Sequence, residues 1–488
     1  LGGEVTIITD KAVAAFLKRY LAEVEAGNAA IFAGAGLSAP AGYVDWRELL
    51  REIADELDLR IDLENDLISI AQFHLNTKKS RFRLNQAIID KLSADNDPTV
   101  NHRILSRLPI NTWWTTNYDQ LIERALKAAG KVVDVKSDHH QLANTKARRD
   151  TIVYKMHGDV DRPNDAVVTR DDYEAYAHDR GPFVSALAGD LVSKTFLFLG
   201  FSFTDPNLEH VLARVRLSLR DNAREHYAFF RKRVRLEGET DDAYAHGLAR
   251  QKLVIDDLSR YGVTAILVEE YSDINDILAE LERRYRRQTV FVSASADDFE
   301  PWGKPAIEAF MRDLGAAFVE KGLRLATGLG LGVGNALFTG AIESVLKSRT
   351  NHIEDSLIIR PFPQHIPDAE ERQRVWAEYR RRILSEAGVS IFLFGNKVAD
   401  GKTVPADGME REWEIARELG LVVLPVGATG STARSLAERA VAEPHTYLTE
   451  LDAKQREVIV SLSKDADDLS KLIDPIVKLA VNLRLGQR

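Results

Sequence analysis

Short apolar runs alternate with amphipathic stretches along this chain, and they fall into two series. In the first, "AAIFAGAG", "NTWWTTNYD", "TIVYKMHGD", "TFLFLGFSF", "HYAFFRK" and "VTAILVEE" read as strands, with segments of helical period between them. Strands that alternate with helices predict a doubly wound parallel sheet of the Rossmann-like α/β class. From about Asp45 to Leu108 the pattern is mostly helical, which predicts a helical insertion after the first turn. "INDILAELERRYRRQ" closes the series as an amphipathic helix whose basic end suits the negative pole of the helix dipole. A second series follows at once: "TVFVSAS", "LRLATGLG", "DSLIIRPFP", "VSIFLFGN" and "LVVLPVGATG". The expected organisation is two Rossmann-like parallel-sheet domains, 1–286 and 287–488, the first carrying the insertion.

Composition narrows the picture. The length of 488 residues fits two to four domains at ~100–200 residues each. There is no cysteine, so disulfides, thiolate nucleophiles and Cys-ligated zinc are excluded, and a cytoplasmic setting is expected. No apolar run approaches the ~20 residues of a membrane span. The first residues, "LGGEVTIITD", lack a basic n-region and an apolar h-region, so no signal peptide is expected. A net charge of −9 argues against a general nucleic-acid partner.

Candidate chemistry clusters at the strand ends. "IFAGAGLSAPAGYVDWREL" is a strand, a glycine turn and a polar exit. Gly34 and Gly36 would let a pyrophosphate approach the backbone, with N–H groups and Ser38 as donors, but the same turn could simply join strand to helix. "TTNYD", "YKMHGD" and "FLGFSFTDPNL" each place polar groups just after an apolar strand. In a parallel sheet those ends share one edge, where ligands bind. Asn117 and Asp119 either cap the next helix or form the floor of such a site.

From roughly Ala29 to Glu269 the chain resembles the sirtuin-like family of NAD-consuming proteins. The resemblance rests on "GAGLS" followed by "DWR", on "TTNYD" and on "HGD", and "FLGFSFTDPNL" looks like the bacterial branch. It implies that Gly34, Ala35 and Gly36 hold the dinucleotide, that Asn117 orients ribose hydroxyls or a water, and that His157 is the base. Ser38, Arg47, Asp119, Gly200 and Ser202 complete the implied NAD+ pocket, with Arg47 on a phosphate and Asp119 in support. Thr116 stands where deacetylases carry Gln, and the four-Cys zinc module is absent. NAD+ hydrolysis is therefore expected over protein deacylation, with no metal and no cofactor beyond the substrate.

The second glycine loop, "LRLATGLGLGVGNALFTGAIES", could present N–H groups to an anion or serve only as a flexible connection. Downstream, a helix cannot aim Arg380, Arg381 and Arg382 the same way, so at most one or two reach a site. Lys397 follows a strand end, and Glu412 near a helix start could accept from ribose hydroxyls. Roughly Thr289 to Gly430 resembles the SLOG nucleotide-binding family. "GNK" and "GMEREWEIA" look like the C-terminal domain of Thoeris anti-phage effectors of the ThsA type, in which a sirtuin-like domain precedes SLOG. That resemblance implies a pocket for a cyclic ADP-ribose isomer made by a TIR-domain partner protein, and a homotetramer. The implied contacts are Ala294, Ser295, Gly330, Leu331, Phe362, Arg380, Lys397, Gly408 and Glu412, with Ala294 where the family often has Gly. The expected activity is a signal-gated NADase; a nucleotide-sensing protein without turnover and a protein deacylase are the rivals.

Overall fold

Seven parallel strands form the sheet of the first unit: β1 (Ala29–Ala33), β2 (Thr112–Thr115), β3 (Val133–Lys136), β4 (Thr151–Lys155), β5 (Thr195–Leu199), β6 (His226–Arg231) and β7 (Val263–Val268). Their order is β3-β4-β2-β1-β5-β6-β7, so the chain starts in the middle and winds outward in both directions. β1 and β5 are buried along their whole length, which is why they read as unbroken apolar runs. β3 escaped the sequence pattern because its polar residues pair with each other: Lys136 meets Asp134 at 2.8 Å, and both are buried. The computed structural model describes residues 10–203, 205–219, 224–348, 352–363, 365–399 and 401–486. The N-terminal stretch read for a signal peptide lies outside the described residues up to position 9.

The insertion after β1 is helical as expected. Its main helices are Leu67–Lys78, Phe82–Leu92 and Val100–Arg107. Leu49, Ile53, Ile70, Leu84 and Ile88 form its own core, and Tyr118 from beyond β2 packs into it. The insertion thus leans on the residues that follow β2, where the candidate site lies.

The second unit has five parallel strands: β8 (Thr289–Ser295), β9 (Arg324–Thr327), β10 (Leu357–Ile359), β11 (Val389–Phe394) and β14 (Val422–Pro425), in the order β10-β9-β8-β11-β14. An antiparallel hairpin, β12 (Asn396–Ala399) with β13 (Lys402–Pro405), extends beyond β11 and carries Lys397. Past Gly430, where the recognisable pattern ends, the helices Ser431–Ala442, Ala453–Leu462 and Ser470–Leu485 complete the core with Leu436, Ile459, Ile476 and Leu483. The two units span 1–282 and 283–488, so the division falls inside the helix Asp273–Arg286, slightly before the expected 286/287 boundary. Among the described residues no helix is long and apolar enough to cross a membrane.

Candidate active site and second ligand crevice

β4, β2, β1 and β5 are consecutive neighbours, so their carboxyl ends bring His157, Asn117, the Gly34 turn and Gly200 to one edge of the sheet. A cavity of about 670 Å³ opens there, within the ordinary range for small-molecule sites. Ala35, Gly36, Ser38, Asn117, Asp119 and His157 line it, and Gly200, Ser202, Arg47 and Thr116 complete that wall.

The glycines are explained first by backbone packing. Gly34 N–H donates to Leu199 O and Gly36 N–H to Gly200 O, both at 2.9 Å. A Cβ on Gly200, which sits at φ +62°, would fall 2.1 Å from Leu37 N. The turn out of β1 therefore crosses the turn out of β5 with no room for a side chain. One expectation is corrected: the Gly36 amide is engaged by Gly200 and is not held open for a phosphate.

Asn117 and Asp119 divide the two roles left open by the sequence. Asp119 Oδ1 accepts from Leu121 N–H at 3.0 Å and so holds the first amide of the helix Leu121–Ala128 from the position before its N-cap, Gln120, a capping role. Asn117 turns away from that helix. Its Nδ2 donates to Gly34 O at 3.0 Å and to Ser38 Oγ at 3.1 Å, which ties the end of β2 to the glycine turn.

Lys155, which sequence reasoning passed over, pins the same segment. Fully buried, its Nζ donates to Tyr118 O at 3.0 Å and Asp119 O at 2.6 Å, and pairs with Glu123 at 3.1 Å and Asp159 at 2.6 Å. Burial opposes its charge, but Glu123 and Asp159 outweigh burial and raise its pKa. Burial pushes the Glu123 carboxyl up. A lysine at the end of the apolar run "TIVYK" was the available signal, since buried Lys is rare unless paired.

His157 is buried, with the rings of Tyr173 and Tyr176 edge-on at 5.5 and 6.4 Å. Its Nε2 lies 3.0 Å from Asp205 Oδ2, an ion-pair distance at which the ring N–H is not squarely aligned. Burial acts to raise the Asp205 carboxyl, but the His157 charge and the amides of Leu208 and Asn207 hold it below the usual carboxylate range. Asp205 was inside the quoted "FLGFSFTDPNL", yet nothing local tied it to His157.

Arg47 lines the cavity and has a second engagement: its guanidinium donates to the carbonyls of Ile61 and Glu64 and so braces the insertion. Beside it, Trp46 Nε1 is buried and has no hydrogen-bond partner among the described residues.

In the second unit the loops after β8 and β9, Phe362 and the helices Ala369–Ser385 and Asp407–Glu418 bring most of the implied effector residues together. Of the three arginines, Arg380 alone turns inward: it is buried, while Arg381 is exposed and pairs with Glu418, and Arg382 is exposed. The Arg380 guanidinium lies 4.9 Å over the Phe362 ring, and its Nε approaches Glu412 Oε1 at 3.3 Å. Glu412 Oε2 accepts from Ser293 Oγ at 2.6 Å, and burial raises the Glu412 pKa against the pull of Ser293 and Arg380. A Cβ on Gly408 would come 3.0 Å from Arg380 Nη2, so glycine leaves the guanidinium its space. Lys397 is part-exposed and ion-paired with Asp407. Gly330 packs on β8, where a Cβ would lie 1.7 Å from Ala294 O. Its neighbour Leu331 is exposed, and Leu331 O accepts from Ala296 N–H at 3.0 Å, just past Ser295. Ser293 and Trp376, the latter 5.8 Å from the Arg380 guanidinium, were missed from the sequence.

Comparison with known proteins agrees with both halves. Residues 111–253 match the SIR2-like domain model, and residues 273–483 match the Sir2- and TIR-associating SLOG family model. NAD(+) hydrolase ThsA of Acinetobacter baumannii is 44% identical over 466 residues, covering 94% of this chain and 97% of that protein. The protein of that name from Bacillus cereus is 43% identical over 464 residues, with coverage of 95% and 97%. The one from Cytobacillus dafuensis is 41% identical over 492 residues, with coverage of 99% on both sides. The chain belongs to the ThsA family of NAD(+) hydrolases. The ThsA order, sirtuin-like then SLOG, is the one read from the sequence. The SIR2-like match takes in Asn117, Lys155, His157 and Asp205, and the SLOG match spans the whole second sheet. Among the described residues no group of His, Asp and Glu is arranged to hold a metal ion.

Proposed function

We propose that the first unit hydrolyses NAD+ to nicotinamide and ADP-ribose, and that a cyclic ADP-ribose isomer bound in the second unit switches this on. Membership in a family of NAD(+) hydrolases supports the reaction. The observation that carries the site is the meeting of Asn117 and His157 on one cavity at the carboxyl edge of the sheet. Nicotinamide in NAD+ is already a cationic leaving group. Its glycosidic C–N bond breaks with the electron pair leaving on the ring nitrogen, a water oxygen bonds the ribose carbon, and that water gives up a proton. An imidazole suits the base near neutral pH, and an amide tied to the glycine turn can position ribose or water. The protein's main contribution is geometry: it bends the dinucleotide and excludes other acceptors. No step calls for a metal or a further cofactor.

The second unit suits an anionic nucleotide because Arg380 and Lys397 supply whole charges that a glycine loop lacks. In this reading the signal comes from a TIR-domain partner protein, the enzyme works as a cytoplasmic homotetramer, and loss of NAD+ halts phage growth. Incubation with NAD+, with and without cyclic ADP-ribose isomers, tests it by nicotinamide release. Binding without release would favour the nucleotide-sensing alternative. Deacylation of an acyl-lysine peptide would favour the other, which Thr116 on the cavity wall and the lack of Cys disfavour.

A further inference from the structure

The geometry points to Asp205 as a positioning residue for NAD+ hydrolysis, one that acts through His157. This rests on the reading of His157 as the base. Asp205 Oδ2 stands 3.0 Å from His157 Nε2, and among the described residues it is the charged side chain paired with that imidazole. Both residues line the cavity. The other groups packed around the ring are not charged partners for it. Tyr173 and Tyr176 present ring edges, and Tyr173 Oη reaches Asp205 itself, at 3.5 Å. Arg180 is committed to the carbonyls of Ser137 at 2.8 Å and Met156 at 3.3 Å.

The second oxygen of Asp205 fixes the carboxylate in place. Oδ1 accepts from Leu208 N–H at 2.9 Å at the start of the helix Pro206–Leu219, so the side chain cannot swing away without losing that bond. A carboxylate held this way orients an imidazole and stabilises its protonated form once it has taken a proton.

The two duties of Asp205 can be separated. Asp205→Asn keeps an oxygen for Leu208 N–H and removes the charge; Asp205→Glu keeps the charge. Nicotinamide release is followed in the full-length protein, with the cyclic ADP-ribose isomer that activates the unsubstituted chain. Asp205→Asn should lose about 10²-fold or more in kcat, in the range of general-base effects, with KM within about threefold and an unchanged melting temperature. Asp205→Glu should regain part of that loss. In a His157→Ala background, Asp205→Asn should cost nothing further, because residues that act as one unit are non-additive. A purely structural cap predicts the reverse: Asp205→Asn active, or its loss multiplying that of His157→Ala. Either result overturns the inference while the His157 assignment stands. Near-normal turnover in His157→Ala overturns both.

Discussion

The two candidate sites occupy equivalent places, the carboxyl edge of a parallel sheet beside a glycine turn, yet their charges are arranged in opposite ways. In the first, the cations are engaged by backbone carbonyls: Arg47, on the cavity wall, by Ile61 and Glu64, and Lys155 by Tyr118 and Asp119. Beside Arg47 the space is lined by an amide, a hydroxyl, an imidazole and carboxylates. In the second, Arg380 and Lys397 are the prominent groups, each opposed by a carboxylate, Glu412 and Asp407. The difference suits the roles proposed above: a ribose losing a cationic leaving group gains positive charge, which a cation beside it would oppose, whereas an anionic effector without chemistry to undergo would gain from whole positive charges.

The strongest way to break this comparison is to disable the first site alone. His157→Ala and Asn117→Ala should each reduce nicotinamide release by about 10²–10⁴-fold and leave effector binding to the second unit intact. Calorimetric titration of the effector, run beside the turnover assay, checks both halves; loss of effector binding would mean that the sites are not independent.

Acid should also separate the units. His226 accepts from Phe196 N–H at 3.1 Å through Nδ1, and burial lowers its pKa to about 4; burial lowers His102 likewise to about 4. Between about 6.5 and 4 the unfolded chain takes up protons that these native histidines refuse. Stability of the first unit should therefore fall as pH drops through that window, by about 3 kcal/mol per histidine at most. Urea unfolding at pH 7.5 and pH 5, repeated with His226→Gln, measures it; an unchanged acid sensitivity in the variant would remove His226 from the account.

Effector titrations sharpen the comparison from the other side. Arg380→Ala should raise the half-saturating effector concentration by ~10–150-fold with the maximal rate kept, the size of one lost charge-assisted contact. Lys397→Ala should sit at the lower end of that range, since this lysine is part-exposed and already paired with Asp407. A fall in maximal rate at unchanged half-saturation would place these residues in catalysis or assembly. The smallest expected effect is none: EDTA should leave nicotinamide release unaltered, and activity lost in EDTA and restored by a divalent ion would overturn the metal-free chemistry.

Apolar runs closed by glycine and polar residues determined the strands, the two sheets and the edge where chemistry collects, because burial and turn geometry act over a few neighbouring residues. β3 stayed hidden because Asp134 and Lys136 satisfy each other, which no local pattern announces. The hairpin β12–β13 and the helices past Gly430 were missed for lack of a long apolar run or a motif. Only the tertiary structure decided what each polar group does. It gave the cap to Asp119 and the glycine turn to Asn117, and it sent Arg47 to two carbonyls. It singled out Arg380 from its neighbours and set Asp205 against His157. Hydrogen bonds and ion pairs are short-ranged in space but indifferent to distance along the chain, so they are settled when strands far apart in sequence come to lie side by side.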